Sequence, residues 1–368
     1  MKIKFVNLTE QVNQISDSVY HKWNEIVREH RFVSGKEVEI FEDKFSKILS
    51  TKYVVGLSSG TDANILSILC SDCKDGAEVI IPVNTYIATA CGVSHAGAKP
   101  IFIDIDKDTF NIDPTLLESL ISRKTKAIIP VHLYGYPAEM DKILEIAKRN
   151  NVIVIEDASQ AHLAEYRGRR VGSLGILSTW SFYPGKNLGA WGEAGAIATD
   201  DENIYQMAMK YRNHGGLNKY QHDLIGFNFR MSELQAAVLN VKLNFIEQWT
   251  NERVEIAKHY QSRLNKIVQI TLPKSHQKNR HVYHLYVIRT IQRDSLKEYL
   301  FSCGIETSIH YPTCLHQTKA YSNLGYQTGD FPIAEELSRQ ILSLPLFVGM
   351  VLEQVDYVCD KIEFFFRK

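Results

Sequence analysis

The chain has 368 residues, with 42 basic and 42 acidic side chains, 45% hydrophobic and 23% charged residues. At about 150 residues per domain this is too long for a single small module, and the balanced charge offers no field to gather nucleic acid or anionic lipid. The composition is that of a globular protein with a large core, not a disordered or fibrous chain.

In chain order, the opening MKIKFVNLTEQ lacks the long apolar stretch of a secretory signal, which predicts a cytoplasmic protein. Residues 53–57 read as a β-strand that turns into a helix at Ser58-Ser59-Gly60-Thr61. Small residues there expose the first helical amides, and the Ser59 and Thr61 hydroxyls make with them either an anion site or simply a capped helix start. Ala63, Ile65, Leu66, Ile68 and Leu69 form the apolar set of that helix. Cys70 and Cys73 make a C-x-x-C with no second pair or flanking His, so Cys70 is expected to end a buried helix face and Cys73 to lie in the turn beyond. The six cysteines form no disulfide framework and fit a reducing compartment.

Residues 78–81, 100–105, 127–133 and 152–155 read as strands, and Met140, Ile143, Leu144, Ile146 and Ala147 recur at helical spacing across 138–149. This alternation is the signature of βαβ units and a mostly parallel sheet. Glu156-Asp157 closes one strand, placing carboxylates at the sheet's C-terminal edge, where ligands bind in such folds. A carboxylate there can hold a positive ring nitrogen.

Further on, Lys186 is set among small and aromatic residues in Ser181-Phe182-Tyr183-Pro184-Gly185-Lys186-Asn187-Leu188-Gly189, with Gly192 and Gly195 following. A lysine so placed can lose its proton and form a Schiff base with an aldehyde, or be a solvated loop charge. No phosphate-binding G-x-x-x-x-G-K-[ST] or dinucleotide G-x-G-x-x-G motif competes for the anion site. From Ser232, whose S-x-x-Q pattern predicts a capping box, a helical pattern runs to about Tyr260 as one or two helices. A strand over 282–288 and helices near 294–302 and 332–342 complete a second, α+β domain, dividing the chain into 1–245 and 246–368. Pro345 and Gly349 interrupt the apolar run 341–352, which is short of the roughly 18 residues that a membrane span needs.

Together these stretches, with Pro82-Val83-Asn84-Thr85-Tyr86, Glu156-Asp157-Ala158-Ser159-Gln160-Ala161-His162, Gly226-Phe227-Asn228-Phe229-Arg230 and His310-Tyr311-Pro312, resemble the DegT/DnrJ/EryC1/StrS sugar aminotransferases. The resemblance runs in order from about residue 30 to 350. It implies an α/β protein of the aspartate-aminotransferase fold, type I among pyridoxal-phosphate enzymes, with a mostly parallel central sheet and a smaller C-terminal domain. It implies pyridoxal 5'-phosphate as cofactor, joined to Lys186, with Asp157 on the pyridinium nitrogen and Gln160 on the ring oxygen. Tyr86 would cover the ring, and Gly60, Thr61 and Ser181 would hold the phosphate. A homodimer is implied, since the residue matching Asn228 completes the partner's phosphate site.

Two departures stand out. Leu163 replaces the glycine common after this histidine, and Ala194 replaces a glycine in Glu193-Ala194-Gly195; they either reshape the substrate cleft or are packing variants, the reading favoured here. Pro130 to Gly135 and 309–312 look most similar to enzymes that aminate C3 of dTDP-3-keto-6-deoxyhexoses, with L-glutamate as donor. C4 amination is the alternative, as is a cofactor-dependent deoxygenase on the same fold, although Lys186 argues against the latter. A regulator that binds the cofactor without catalysis is disfavoured by the lack of a DNA-binding segment. Tyr183, His310 and Tyr311 are placed near the hexose, or else are ordinary core aromatics. Arg167, Arg169 and Arg170 either meet a diphosphate or form a solvated loop.

Overall fold

The computed structural model describes residues 1–73 and 76–367. Two helices open the chain, α1 (Thr9–Glu29) and α2 (Lys36–Leu49), followed by β1 (Tyr53–Leu57), α3 (Gly60–Cys70), β2 (Glu78–Pro82), α4 (Ile87–His95) and β3 (Lys99–Ile103). Then come α5 (Leu117–Leu120), β4 (Thr125–Ile128), α6 (Met140–Arg149), β5 (Ile153–Asp157) and the hairpin β6 (Glu165–Tyr166) and β7 (Arg169–Arg170). Strands β8 (Leu177–Ser181) and β9 (Gly195–Thr199) lead to α7 (Glu202–Arg212), α8 (Glu233–Lys242) and α9 (Ile246–Leu264). The chain ends with β10 (Tyr286–Arg289), α10 (Arg293–Ser302), α11 (Pro332–Gln340), β11 (Ile341–Leu344) and α12 (Leu352–Arg367).

Seven strands form the main sheet in the order β1-β9-β8-β5-β4-β2-β3. All run parallel except β9, which is antiparallel to both β1 and β8. The sheet is covered on both faces, and the side chains sort by the two-residue period of a strand. Val55, Val79, Ile81, Ile155 and Ile197 enter a core with α3, α4 and α7. Their neighbours Val54, Ala196 and Ala198 pack towards α2 and α8, and Ile80, Ile128 and Val154 towards α6. Strands β8 and β9, which the sequence reading did not assign, are buried on both faces and so lack polar alternation.

A second core gathers α9, α10, α12 and the β10–β11 pair, with Tyr260, Tyr286, Leu296, Val355 and Ile362 inside it. Ile3 belongs to this core and bridges to Ile305, so the first residues of the chain are built into its last third. The predicted helix from Ser232 is two helices, parted by a turn at 243–245 in which Asn244 and Phe245 donate back to Val241 and Lys242. Its capping box does not form. The Ser232 side chain makes no cap hydrogen bond, and Glu233 instead accepts the amides of Gly35 (2.7 Å), Glu37 (2.9 Å) and Val38 (3.3 Å) at the start of α2. Tertiary approach of α2 outcompetes the local cap, because three otherwise orphaned donors meet one carboxylate. Cys70 ends α3 half-buried, and Cys73 is buried rather than set in a polar turn. Among the described residues no helix is long and apolar enough to cross a membrane.

Candidate active site

The C-terminal ends of β1, β2, β4, β5 and β8 all open on one edge of the sheet, and the reversed β9 begins there. A cavity of about 680 Å³ lies along this edge. Of the residues expected to bind a cofactor, Gly60, Thr61, Tyr86, Asp157, Gln160, Ser181 and Lys186 line it. Tyr183, His310 and Tyr311, expected near a substrate, line it too.

At the start of α3, the Ser59 hydroxyl accepts the Asp62 amide at 3.1 Å, and Gly60 sits against β8. A Cβ on Gly60 would lie 2.7 Å from that of Ser181, and one on Gly195 would lie 2.2 Å from the Ser59 carbonyl oxygen. Glycine at both positions lets the helix start pack directly on the ends of β8 and β9, leaving its first amides open to the cavity.

The two carboxylates that end β5 point opposite ways, as the strand period requires. Glu156 faces away and accepts hydrogen bonds from the amides of Gly172 (2.8 Å), Leu174 (2.7 Å) and Gly175 (2.7 Å), with His132 Nε2 at 3.0 Å. Burial works to raise this acid's pKa, yet His132 and the backbone donors outweigh it and hold the carboxyl below its ordinary value. Asp157 faces the cavity, accepting from the Thr89 hydroxyl (2.8 Å) and the Ser159 amide (3.1 Å).

Lys186 follows β8 in a tight loop whose backbone closes from its amide to the Tyr183 carbonyl at 2.8 Å. Although its surface is partly open to the cavity, the surrounding protein strips water from the ammonium and pulls its pKa from 10.5 to about 8, against the opposing pull of Asp157. Gln160 accepts the Tyr134 amide at 2.7 Å and reaches the Tyr311 hydroxyl at 3.3 Å. The Tyr86 and Tyr311 rings stand 5.5 Å apart, with Tyr86 54% exposed at the mouth. His310 stacks on Phe5 at 5.5 Å and holds Ser343 Oγ at 2.9 Å. Burial and the Lys186 charge push its pKa down to about 4, so the ring is neutral.

The structure leaves other candidates outside. Asn228 is exposed, on a segment bridged to Asn213, and does not line the cavity. Arg167 and Arg169 pair with Asp141, and Arg170 with Glu165, so these arginines form an ion-paired hairpin. Leu163 and Ala194 are core residues beside α2 and α8. Leu163 adopts φ 68°, where a leucine is uncommon and a glycine is free. His162 is buried and packs on Trp180 and Phe182. Burial and the lysine charge take its pKa to about 3.

Sequence reasoning missed several cavity residues: Phe5 to Leu8, Arg253, His284 and Phe347. His284 is kept neutral by burial and by the charges of Lys186 and Arg253. The Asn187 amide donates to the Val282 carbonyl, so its oxygen, 3.3 Å from His284 Nδ1, takes the ring proton there.

The profile of the DegT/DnrJ/EryC1/StrS aminotransferase family matches residues 13–363. The chain is 41% identical to a pleiotropic regulatory protein of Geobacillus stearothermophilus, over 100% of this chain and 99% of that one. It is also 41% identical to dTDP-3-amino-3,6-dideoxy-alpha-D-galactopyranose transaminase of Aneurinibacillus thermoaerophilus, over 98% of each. The solved structure of S. venezuelae DesV superposes with a TM-score of 0.98 at 37% identity, covering 100% of this chain and 99% of that one. Other solved relatives hold the cofactor as pyridoxal phosphate or its amine form.

Proposed function

Because the chain belongs to the DegT/DnrJ/EryC1/StrS aminotransferase family, and so is a pyridoxal-phosphate-dependent transaminase of sugar nucleotides, we propose that it aminates C3 of a dTDP-linked 3-keto-6-deoxyhexose. L-Glutamate is the proposed donor, and the cytoplasm the proposed compartment. Support for the C3 position comes from the Aneurinibacillus relative, whose name specifies a 3-amino sugar. The regulatory name of the Geobacillus relative describes that protein; the cavity here is furnished for chemistry.

The observation that carries the chemistry is a lysine whose pKa is brought to about 8, on the same sheet edge as a buried carboxylate and an open helix N-terminus. This donor set fits a phosphorylated pyridinium aldehyde. The start of α3, with Thr61 and Ser181, suits the phosphate. Asp157, already held by Thr89 and Ser159, suits the ring nitrogen. When bound, pyridoxal phosphate supplies an aldehyde to carry the amine and a cationic ring to draw electrons from the reacting carbon.

The chain's own residues then divide the work. Asp157 would keep the ring nitrogen protonated, Gln160 would contact the ring oxygen, and Tyr86 would cover the ring at the mouth. Lys186 Nζ takes a proton from the donor's α-carbon and later returns one to the sugar carbon, a role that needs an amine neutral near physiological pH. Neutral His310, with Tyr183 and Tyr311, meets the hexose. Asn228 serves the site of a partner chain in a homodimer. A coupled assay with L-glutamate against dTDP- and UDP-linked keto sugars, read by product mass and nitrogen position, tests the reading. Nitrogen at C4, or deoxygenation without a spectral response to glutamate, overturns it.

A further inference from the structure

Within the cavity, one buried cation lacks a counter-ion among the described residues. Arg253, in the first half of α9, is 6% exposed and lines the cavity with His284 and Lys186. Its Nη1 donates to the carbonyls of Tyr283 and Leu346, both at 3.2 Å, and lies 3.5 Å from that of His284. These are neutral acceptors on a single nitrogen, and among the described residues no carboxylate pairs with the guanidinium. Burial lowers its pKa from 12.5 only to about 10, so it remains charged in the working range.

A fold carries a dehydrated cation at a cost unless an opposite charge arrives. His284 beside it is neutral and adds no negative charge. Asp157 acts on Lys186. The anion site at the start of α3 is built from other residues, so a cofactor phosphate would leave Arg253 unmatched. The neighbouring walls, Leu346, Phe347 and Val348, are buried and apolar, which suits the methylenes of a compact acid better than a hydrated diphosphate. The planar guanidinium itself is matched to a carboxylate.

We propose that Arg253 receives a carboxylate of the amino donor and so orients a dicarboxylic amino acid with its amine towards Lys186. This rests on the transaminase reading with an amino-acid donor. The test titrates the holoenzyme with glutarate, a dicarboxylate that carries no amine, and separately with dTDP, for the parent, Arg253→Lys and Arg253→Gln. In Arg253→Gln the glutarate affinity falls by about tenfold or more, and in Arg253→Lys by less, as expected when one partner of a buried charge pair is removed. The dTDP affinity stays within about threefold, and the L-glutamate defect appears mainly in KM rather than kcat.

Weakened dTDP binding with glutarate unchanged assigns the guanidinium to a diphosphate and overturns the proposal. Equal weakening of both, with a lowered unfolding midpoint, reduces Arg253 to a clamp on the carbonyls and overturns it too. Unchanged glutarate binding in Arg253→Gln overturns the Arg253 assignment alone. A parent enzyme that aminates sugar from a carboxylate-free amine yet ignores L-glutamate overturns the donor reading and this proposal together.

Discussion

The Lys186 amine is held between burial, which favours its neutral form, and Asp157, which favours its charged form, and burial wins. Its reactive state therefore appears as pH rises through about 8, well below the 10.5 of a free lysine. In enzyme stripped of cofactor, the rate of re-linking added pyridoxal phosphate, followed by absorbance, should climb through that pH and level off above it. A climb centred near 10.5 would show a solvated lysine. Lys186→Ala should lose both the lysine-linked absorbance and transamination while keeping its unfolding midpoint within a few degrees, since no core packing is removed. At this scale the places of Lys186 and Asp157 in the cavity were legible because each lies within a short run that carries its own strand end or loop, whereas that of Gln160 followed from the family resemblance. Arg253 and His284 were not legible, because a long helix and the bend before β10 bring them in, and nothing local distinguishes an arginine turned inward from one on a helix surface.

Among the elements, the start of β9 packs closely on the start of α3, the proposed seat of the cofactor phosphate. Gly195→Ala places a methyl 2.2 Å from the Ser59 carbonyl oxygen and 2.6 Å from the Gly60 nitrogen, both backbone atoms that cannot swing aside. The helix start must move, so cofactor affinity should drop by about tenfold and stability by about 1–3 kcal/mol. Cofactor titration and chemical denaturation check both, and unchanged affinity would show that α3 does not hold the phosphate. The same close approach recurs at Gly189, whose Cβ would meet the Pro184 carbonyl oxygen at 2.4 Å. Two helices was one of the two readings of the segment from Ser232, but no Gly or Pro marks the break at 243–245 in the sequence. The capping box misled because the residue after Ser232 had a better use in another helix.

At the scale of the whole molecule, the parallel sheet and the edge that carries the site followed from alternating β-rich and helical runs, whereas the reversal of β9 had no sequence signal. Asn228 lies outside its own chain's cavity, so its proposed work is done in another copy. If so, two inactive variants should rescue each other. An equal mixture of Lys186→Ala and Asn228→Ala chains, unfolded and refolded together, should regain about a quarter of parent activity, because half of the dimers are hybrids with one intact site each. No recovery would place Asn228 in its own chain's chemistry or in none.

The opening residues bear on how the molecule moves. Ile3 exchanges backbone hydrogen bonds with Gly304 and Glu306, each at 2.9 Å, and Phe5 then stacks on His310 before Leu8 leads into α1 against the sheet's helices. A few residues thus stitch the last third of the chain to its first helix along the rim of the cavity. Any ligand that steadies this rim should slow amide exchange at Ile3, Phe5 and Glu306 together, with residues far apart in sequence responding as one seam.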